Sequence, residues 1–122
     1  MRAYTVATAA VTLRMPVKWI DNVLSHHSIP GVARSRQGVS RRLTPQAILN
    51  LEIAIRLLNS LSLPVARALE LAKIVRETGD IPAGKGVTLR LDIAAIQAEL
   101  AERLAHAVEI APVPKRGRPG KG

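Results

Sequence analysis

A proline inside an otherwise helical stretch is the feature that most limits how this chain can fold. Residues 6–24, VATAAVTLRMPVKWIDNVL, have helical periodicity on both sides of Pro16. Proline has no backbone N–H and a fixed φ, so it disfavours continuing a helix but suits the first turn of a new one. The sequence therefore predicts one helix over residues 6–13 and a second that begins at about Pro16.

The second predicted helix has two chemically different faces. Its apolar face consists, at three-to-four spacing, of Met15, Ile20, Val23 and Leu24. Its other face is polar and partly basic, as a helix needs to be if it meets base edges in the major groove of DNA. That face carries Lys18, Trp19, Asp21 and Asn22. We assign base reading to Lys18 and Asn22, with Trp19 in the same contact surface and Arg14 of the turn on a phosphate.

A basic stretch, residues 29–43 (IPGVARSRQGVSRRL), follows this helix. Gly38 suits the tip of a hairpin because it tolerates positive φ, and residues 32–34 and 39–41 suit short flanking strands. We expect a wing whose arginines hold the DNA backbone or minor groove and so fix the register of the protein on DNA. They are Arg34, Arg36, Arg41 and Arg42. The alternative is a disordered basic loop.

Several short motifs in residues 4–74 are similar to motifs of one known family. They are Tyr4-Thr5-Val6, Ala9-Ala10, Val17-Lys18-Trp19-Ile20 after the turn, Ile29-Pro30 and Arg41-Arg42-Leu43-Thr44-Pro45-Gln46. This set resembles the MerR-type winged helix domain, which implies a winged helix-turn-helix that binds DNA. Asp21 stands where that family usually has a phosphate-binding arginine. Leu43 replaces the tyrosine of the wing, which indicates a divergent branch similar to the winged domains of some VapB-type antitoxins.

The next segment contains further helix signals. Thr44 is a predicted N-cap with Pro45 at the first helical position, and a central, largely apolar helix over residues 46–58 follows. Ser62 is the predicted cap of a helix over residues 63–77 that ends at Gly79. Residues 79–86, GDIPAGKG, nearly match a phosphate-binding loop. Because no strand precedes them and no Ser or Thr follows Lys85, we reject nucleotide binding and predict a linker.

Residues 87–91 alternate in polarity and predict a strand, and Asp92 is the predicted cap of a helix over residues 93–108. No other strand outside the wing is evident. A single strand with an amphipathic helix could pair across a two-fold axis, which suits a dimer on a palindromic DNA site. The alternative is that this arm folds back onto its own domain. The predicted dimerisation residues are Val87, Leu89, Leu91, Ile93, Ile96, Leu100 and Leu104.

Residues 111–122, APVPKRGRPGKG, are rich in proline, glycine and basic residues, which predicts a disordered tail. Lys115-Arg116-Gly117-Arg118 resembles an AT-hook, a motif in which an extended Arg-Gly-Arg core lies in the narrow minor groove of A·T runs. A generic basic tail is the alternative.

Charge supports a polyanionic partner. The net charge is +9, with seven Lys/Arg against Asp21 alone in residues 1–45 and four against none in residues 112–122. Clustering of this kind favours DNA binding over a role in solubility alone.

The sequence does not indicate a metal site. Cysteine is absent, so no disulfide or thiolate metal site is expected, and the adjacent His26 and His27 point too far apart to chelate one ion. We predict no metal and no cofactor.

These observations predict a mainly α chain in four parts. They are a MerR-like winged helix domain (residues 1–78), a linker (79–86), a strand-helix dimerisation arm (87–110) and the AT-hook-like tail (111–122). The predicted function is a dimeric, sequence-specific transcriptional regulator of the repressor type that is cytoplasmic and associated with the nucleoid. The alternatives are an antitoxin that represses its own operon while binding a toxin, or a DNA-bending architectural or phage factor. No clustered carboxylates or Ser-His-Asp set suggests an enzyme.

Overall fold

The computed structural model describes residues 3–33 and 41–110, which form a mainly helical structure with two small antiparallel sheets. The helices are α1 (Val6–Leu13), α2 (Val17–His26), α3 (Pro45–Leu61), α4 (Val65–Thr78) and α5 (Ile93–Ile110). The strands are β1 (Tyr4–Thr5), β2 (Val32–Ala33), β3 (Arg42–Leu43), β4 (Asp80–Gly84) and β5 (Val87–Arg90). The mainly α class that the sequence predicts is confirmed.

Most helix boundaries follow from local chemistry. The Thr5 hydroxyl accepts the Thr8 N–H at 3.1 Å and begins α1. Thr44 accepts the Ala47 N–H at 3.3 Å at the start of α3, with Pro45 as the first residue, as predicted. Asp92 likewise accepts the Ala95 N–H at 3.0 Å at the start of α5. These side chains satisfy N–H groups that have no partner within the helix.

Two predicted boundaries are wrong. Ser62 does not cap the following helix: it ends α3 in a left-handed conformation (φ 55°), and its N–H donates to Leu58 O. The N-cap of α4 is Pro64, which has no side-chain hydrogen bond. Residues 79–86 are also not a plain linker, because Asp80–Gly84 form β4 and only the remainder is turn.

Strand β4 corrects the prediction that the strand after residue 86 is unpaired. It pairs antiparallel with β5, with Ile81 opposite Leu89, and the register shifts between Pro82 and Gly84. Proline is tolerated in such a strand because one edge of a two-stranded sheet makes no ladder bonds. Ile81 is buried and attaches the hairpin to the core. The strand therefore has a partner within its own chain, and the reason for expecting β5 to pair across a dimer axis is removed.

Helix α5 folds back onto the same chain. Ile96 and Leu100 are buried in one hydrophobic cluster with residues of α1, α3 and α4, and Ile93, Leu89, Leu91 and Leu104 pack against that cluster half-buried. Of the predicted dimerisation residues, Val87 alone is exposed. The predicted stripe on α5 is amphipathic as expected, but its partner is the chain's own core. Residues 87–110 consequently share a core with residues 3–33 and 41–78 instead of forming a separate arm.

Candidate nucleic-acid interface

A tight turn sets the direction of α2. Arg14 ends α1 in the left-handed region (φ 58°), and its N–H points back to Ala10 O and Val11 O. The Met15 N–H donates to Ala10 O at 3.0 Å, which satisfies carbonyls at the helix end in the manner of a C-cap motif. Pro16 then serves as the N-cap of α2. The predicted break and the predicted start of the second helix are both confirmed.

Helix α2 presents its polar face to solvent. Ile20 and Val23 are buried, whereas Lys18, Asp21 and Asn22 are exposed. These three line a shallow, open depression of about 670 Å³ that runs from Pro16 to His26. The side chains that the sequence assigns to base reading therefore share one accessible helix face.

Trp19 is a correction to the predicted outer face. It is half-buried and packs against the core cluster, although it also borders the depression. The indole has more apolar surface than any other side chain of α2, and burying it against the core is favourable. Trp19 therefore holds α2 on the domain while part of its surface remains at the rim of the exposed face.

The base of the predicted wing is a three-stranded sheet in the order β1-β3-β2. Leu43 pairs with both Tyr4 and Val32 and is completely buried. The second strand of the wing is Arg42–Leu43, so it begins after the predicted residues 39–41, and β1 was not predicted at all. Residues 34–40 lie outside the described residues, and Arg34 and Arg36 lie with them.

Thr44 closes this base. Its N–H and its hydroxyl both donate to Gly31 O, at 3.0 Å and 2.9 Å. Gly31 has φ +87°, and an added Cβ would collide with the Thr44 hydroxyl and approach Ala47 N to 3.1 Å. Glycine is thus required at this position for both conformation and space. Just before Thr44, Arg42 is exposed and Arg41 is half-buried.

The described basic residues of this region are not paired with described acidic residues. Within residues 3–33 and 41–110, no ion pair with Asp or Glu involves Arg14, Lys18, Arg41 or Arg42. Asp21 is the acidic residue of this part of the sequence, and it is exposed on α2. Unpaired surface cations keep their full attraction for an external polyanion.

A different group of charges, which we call the Glu52 network, extends from buried Glu52 to Glu99 at the surface. Glu52 on α3 is buried and accepts from Arg56 Nε at 2.7 Å and from Arg103 Nη2 at 2.5 Å. Arg103 also donates to Thr12 O at 3.0 Å, and Glu99 accepts from both arginines at 3.2 Å. The network therefore ties α5 to α3 and to the last turn of α1.

The network shifts two pKa values. Burial alone would lower the pKa of Arg56, but the hydrogen bonds and charges of Glu52 and Glu99 outweigh it, and the pKa is raised. The hydrogen bond from Arg56, then its charge and that of Arg103, lower the pKa of Glu99. Sequence reasoning missed this network. Its only local signals were the Glu52–Arg56 and Glu99–Arg103 spacings of four residues, which place each pair on one helix face.

The structure also bears on the predicted histidine pair and on metal binding, whereas the tail motif lies outside the described residues. His26 Nδ1 lies 2.8 Å from Asn22 O at the exposed end of α2. In the part of the chain that the structure describes, no three His, Cys, Asp or Glu residues are grouped to hold a metal ion. The AT-hook residues Lys115, Arg116, Gly117 and Arg118 lie outside the described residues.

None of the helices within residues 3–33 and 41–110 is long and apolar enough to cross a bilayer. Comparison of the chain with protein-family models, curated proteins and solved structures finds no match. The resemblance to MerR-type domains consequently remains a prediction from the motifs of this chain.

Proposed function

We propose that this protein is a sequence-specific DNA-binding transcriptional regulator of the repressor type. The observation that carries the proposal is the polarity of α2: Lys18 and Asn22 are exposed, while Ile20, on the opposite face, is buried. Helix-turn-helix proteins read the major groove with a short helix whose apolar face packs on the domain and whose polar face contacts the bases. The open depression along this face leaves it accessible to a duplex.

Each basic group has a distinct role in the proposal. Lys18 and Asn22 contact base edges, since lysine suits guanine and asparagine suits adenine. Arg14 and the wing arginines contact phosphates and position α2. In the tail, Arg116 and Arg118 enter an adjacent minor groove. Trp19 supports α2 from its core side.

The proposed regulator binds a two-fold symmetric site as a homodimer. An unpaired β5 cannot mediate this contact, because β5 already pairs with β4. Intrachain packing leaves Val108 and Ile110, near the end of α5, 40% and 56% exposed. We assign the subunit contact to this end of α5, and sedimentation equilibrium of wild type and a Val108→Asp, Ile110→Asp double variant tests it.

The test of DNA reading begins with selection of bound duplexes from a random pool, followed by fluorescence anisotropy on the selected and on a scrambled duplex. Lys18→Ala should reduce discrimination between the two by about 1–3 kcal/mol if it makes a bidentate base contact. Lys73→Ala is the matched control, because Lys73 is an exposed lysine on α4. Equal losses on both duplexes for Lys18→Ala would refute base reading.

The phosphate role is tested separately. Replacing Arg41 and Arg42 with Ala should weaken binding to selected and scrambled duplexes alike. The slope of log K against log salt should fall by about one for each phosphate contact removed. An unchanged slope, or a loss confined to the selected duplex, would contradict the assignment. Failure to enrich any duplex from the pool would refute the proposed function itself.

A further inference from the structure

A groove on the side formed by α3, α4 and α5 combines apolar walls with an arginine that forms no ion pair among the residues that the structure describes. It lies where the first turns of α3, the last turn of α4 and the middle of α5 meet, and its volume is about 470 Å³. Leu49, Leu100 and Leu104 form apolar walls, and Gln46, Gln97 and Arg76 supply polar groups. We call it the Arg76 groove. Its size falls in the range of small-molecule sites, roughly 300–1,000 Å³.

Arg76 is the charged residue of this groove, and its hydrogen bonding is incomplete. The side chain is half-buried, its Nε is enclosed without an acceptor, and within the described residues it forms no ion pair. The Gln46 amide lies against the guanidinium and, with its oxygen facing Arg76, accepts from Nη2 at 3.0 Å and also from Nη1, so that Nε is the nitrogen left without an acceptor. A neutral amide does not neutralise the charge, and a carboxylate would bind it in a stronger, bidentate way.

The surroundings of Arg76 favour an anion. None of the described residues that line the groove is acidic. The first turn of α3, which contributes Gln46, also has no acidic residue, so the partial positive charge of this helix end is not offset. The walls formed by α3 and α5 suit an apolar chain. We propose that the Arg76 groove binds a small carboxylic acid with an apolar tail, its carboxylate on Arg76 and its tail between α3 and α5.

The position of the groove suggests a consequence for DNA binding, and this second step rests on the proposed function. Pro45 and Gln46 line the groove and directly follow Thr44, which bonds to Gly31 O at the base of the wing. An occupant that moves the first turn of α3 against α5 therefore also moves the base of the wing. The carboxylic acid would act as an effector that changes the affinity for DNA.

Binding is tested with octanoate as probe and 1-octanol as the control with the same tail and no charge. In amide ¹H–¹⁵N spectra, octanoate should cause saturable shifts in the groove residues of α3, α4 and α5, and it should bind at least about tenfold more tightly than 1-octanol. Arg76→Gln should remove this difference. Arg67→Gln should retain it, because Arg67 is an exposed arginine of the same helix, paired with Glu70.

A second pair of variants tests the apolar part without altering charge. Ala101 is exposed on α5 and lines the groove, whereas Ala105 is exposed on α5 outside it. Ala101→Leu should occupy the space of the tail and weaken octanoate binding at least about tenfold, and Ala105→Leu should leave it unchanged. This pair of variants tests whether octanoate binds in the Arg76 groove even if Arg76→Gln fails to fold.

The outcomes separate the site from its effect. Equal binding of octanoate and 1-octanol, shifts located elsewhere, or full binding by Ala101→Leu would overturn the site. Saturable binding with an unchanged anisotropy titration of the selected duplex would overturn the coupling to DNA and leave the site intact. Octanoate binding by a protein that enriches no duplex would support the groove while refuting DNA reading.

Discussion

Two regions of this molecule are rich in arginine, and they differ in what surrounds the charge. In the region formed by α1, α2 and the β1-β3-β2 sheet, Arg14 and Arg42 are exposed and make no ion pair within the described residues. In the Glu52 network, Arg103 is mostly buried and bonds to two carboxylates and a backbone carbonyl. An arginine side chain therefore stabilises the packing of helices in one region, whereas in the other region it is exposed and can bind an external anion.

The comparison teaches that the number of basic residues is a weak guide to function, whereas their partners are a strong one. A buried ion pair stabilises a fold only if its hydrogen bonds are complete, and removing one partner leaves an uncompensated charge. An exposed pair contributes little in either direction. Variants that separate stability from DNA affinity can test whether the two regions differ in this way.

The largest effect is expected at Glu52. Glu52→Ala removes the carboxylate that two arginines share in the core, and it should lower the free energy of unfolding by about 3–5 kcal/mol. Urea denaturation followed by circular dichroism measures the loss. Glu70→Ala is the control, because Glu70 pairs with Arg67 on the surface, and it should cost less than about 1 kcal/mol. Similar losses in the two variants would remove the distinction between the regions.

A smaller effect with the opposite sign is expected at Arg14. This residue holds a left-handed conformation that glycine adopts more easily, so Arg14→Gly should raise the free energy of unfolding by about 1 kcal/mol. The same variant should weaken DNA binding, because it removes the phosphate contact that we propose for Arg14. Ser62 has the same conformation at the end of α3, and Ser62→Gly should stabilise the protein without changing DNA affinity. If Arg14→Gly leaves DNA affinity unchanged, as Ser62→Gly should, the proposed phosphate contact of Arg14 is contradicted.

The smallest effect concerns pH and Glu99. The pKa of Glu99 is lowered from its ordinary value of 4.5, so this group stabilises the fold above that pH and loses its contribution as the pH falls through the lowered pKa. Glu99→Gln should therefore have a flatter loss of stability in acid than the wild type. Urea midpoints at neutral pH and below pH 4.5 measure the difference. Parallel pH profiles would show that Glu99 is not coupled to Arg56 and Arg103.

Helix boundaries could be predicted from the sequence where a single residue has a strong local conformational or hydrogen-bonding preference. Pro16, the Thr44-Pro45 pair, Gly79 and Asp92 each mark a helix boundary through backbone geometry or a nearby hydrogen bond, and all of them are confirmed. The polarity of α2 was also predictable, since Ile20 and Lys18 follow helical spacing. Trp19 is the exception because its size favours packing wherever a neighbouring surface is available.

The failures share a physical origin in contacts between distant residues. Strand β1 has two residues, too few for a pattern, and β4 contains Pro82 and Gly84, which are typical of loops. The return of α5 onto α1 and α3 depends on complementary surfaces that periodicity does not reveal. Glu52 and Arg103 are 51 positions apart, so no local spacing brings them together.

The bond from Arg103 to Thr12 O joins residues 91 positions apart, and it has a consequence for the order in which the protein matures. Thr12 O is one of the carbonyls that a helix leaves without a partner at its end. Its partner reaches the nascent chain long after α1 and α2 have left the ribosome. Helix α1 therefore reaches its final packing only after α5 has been synthesised and has folded back onto it.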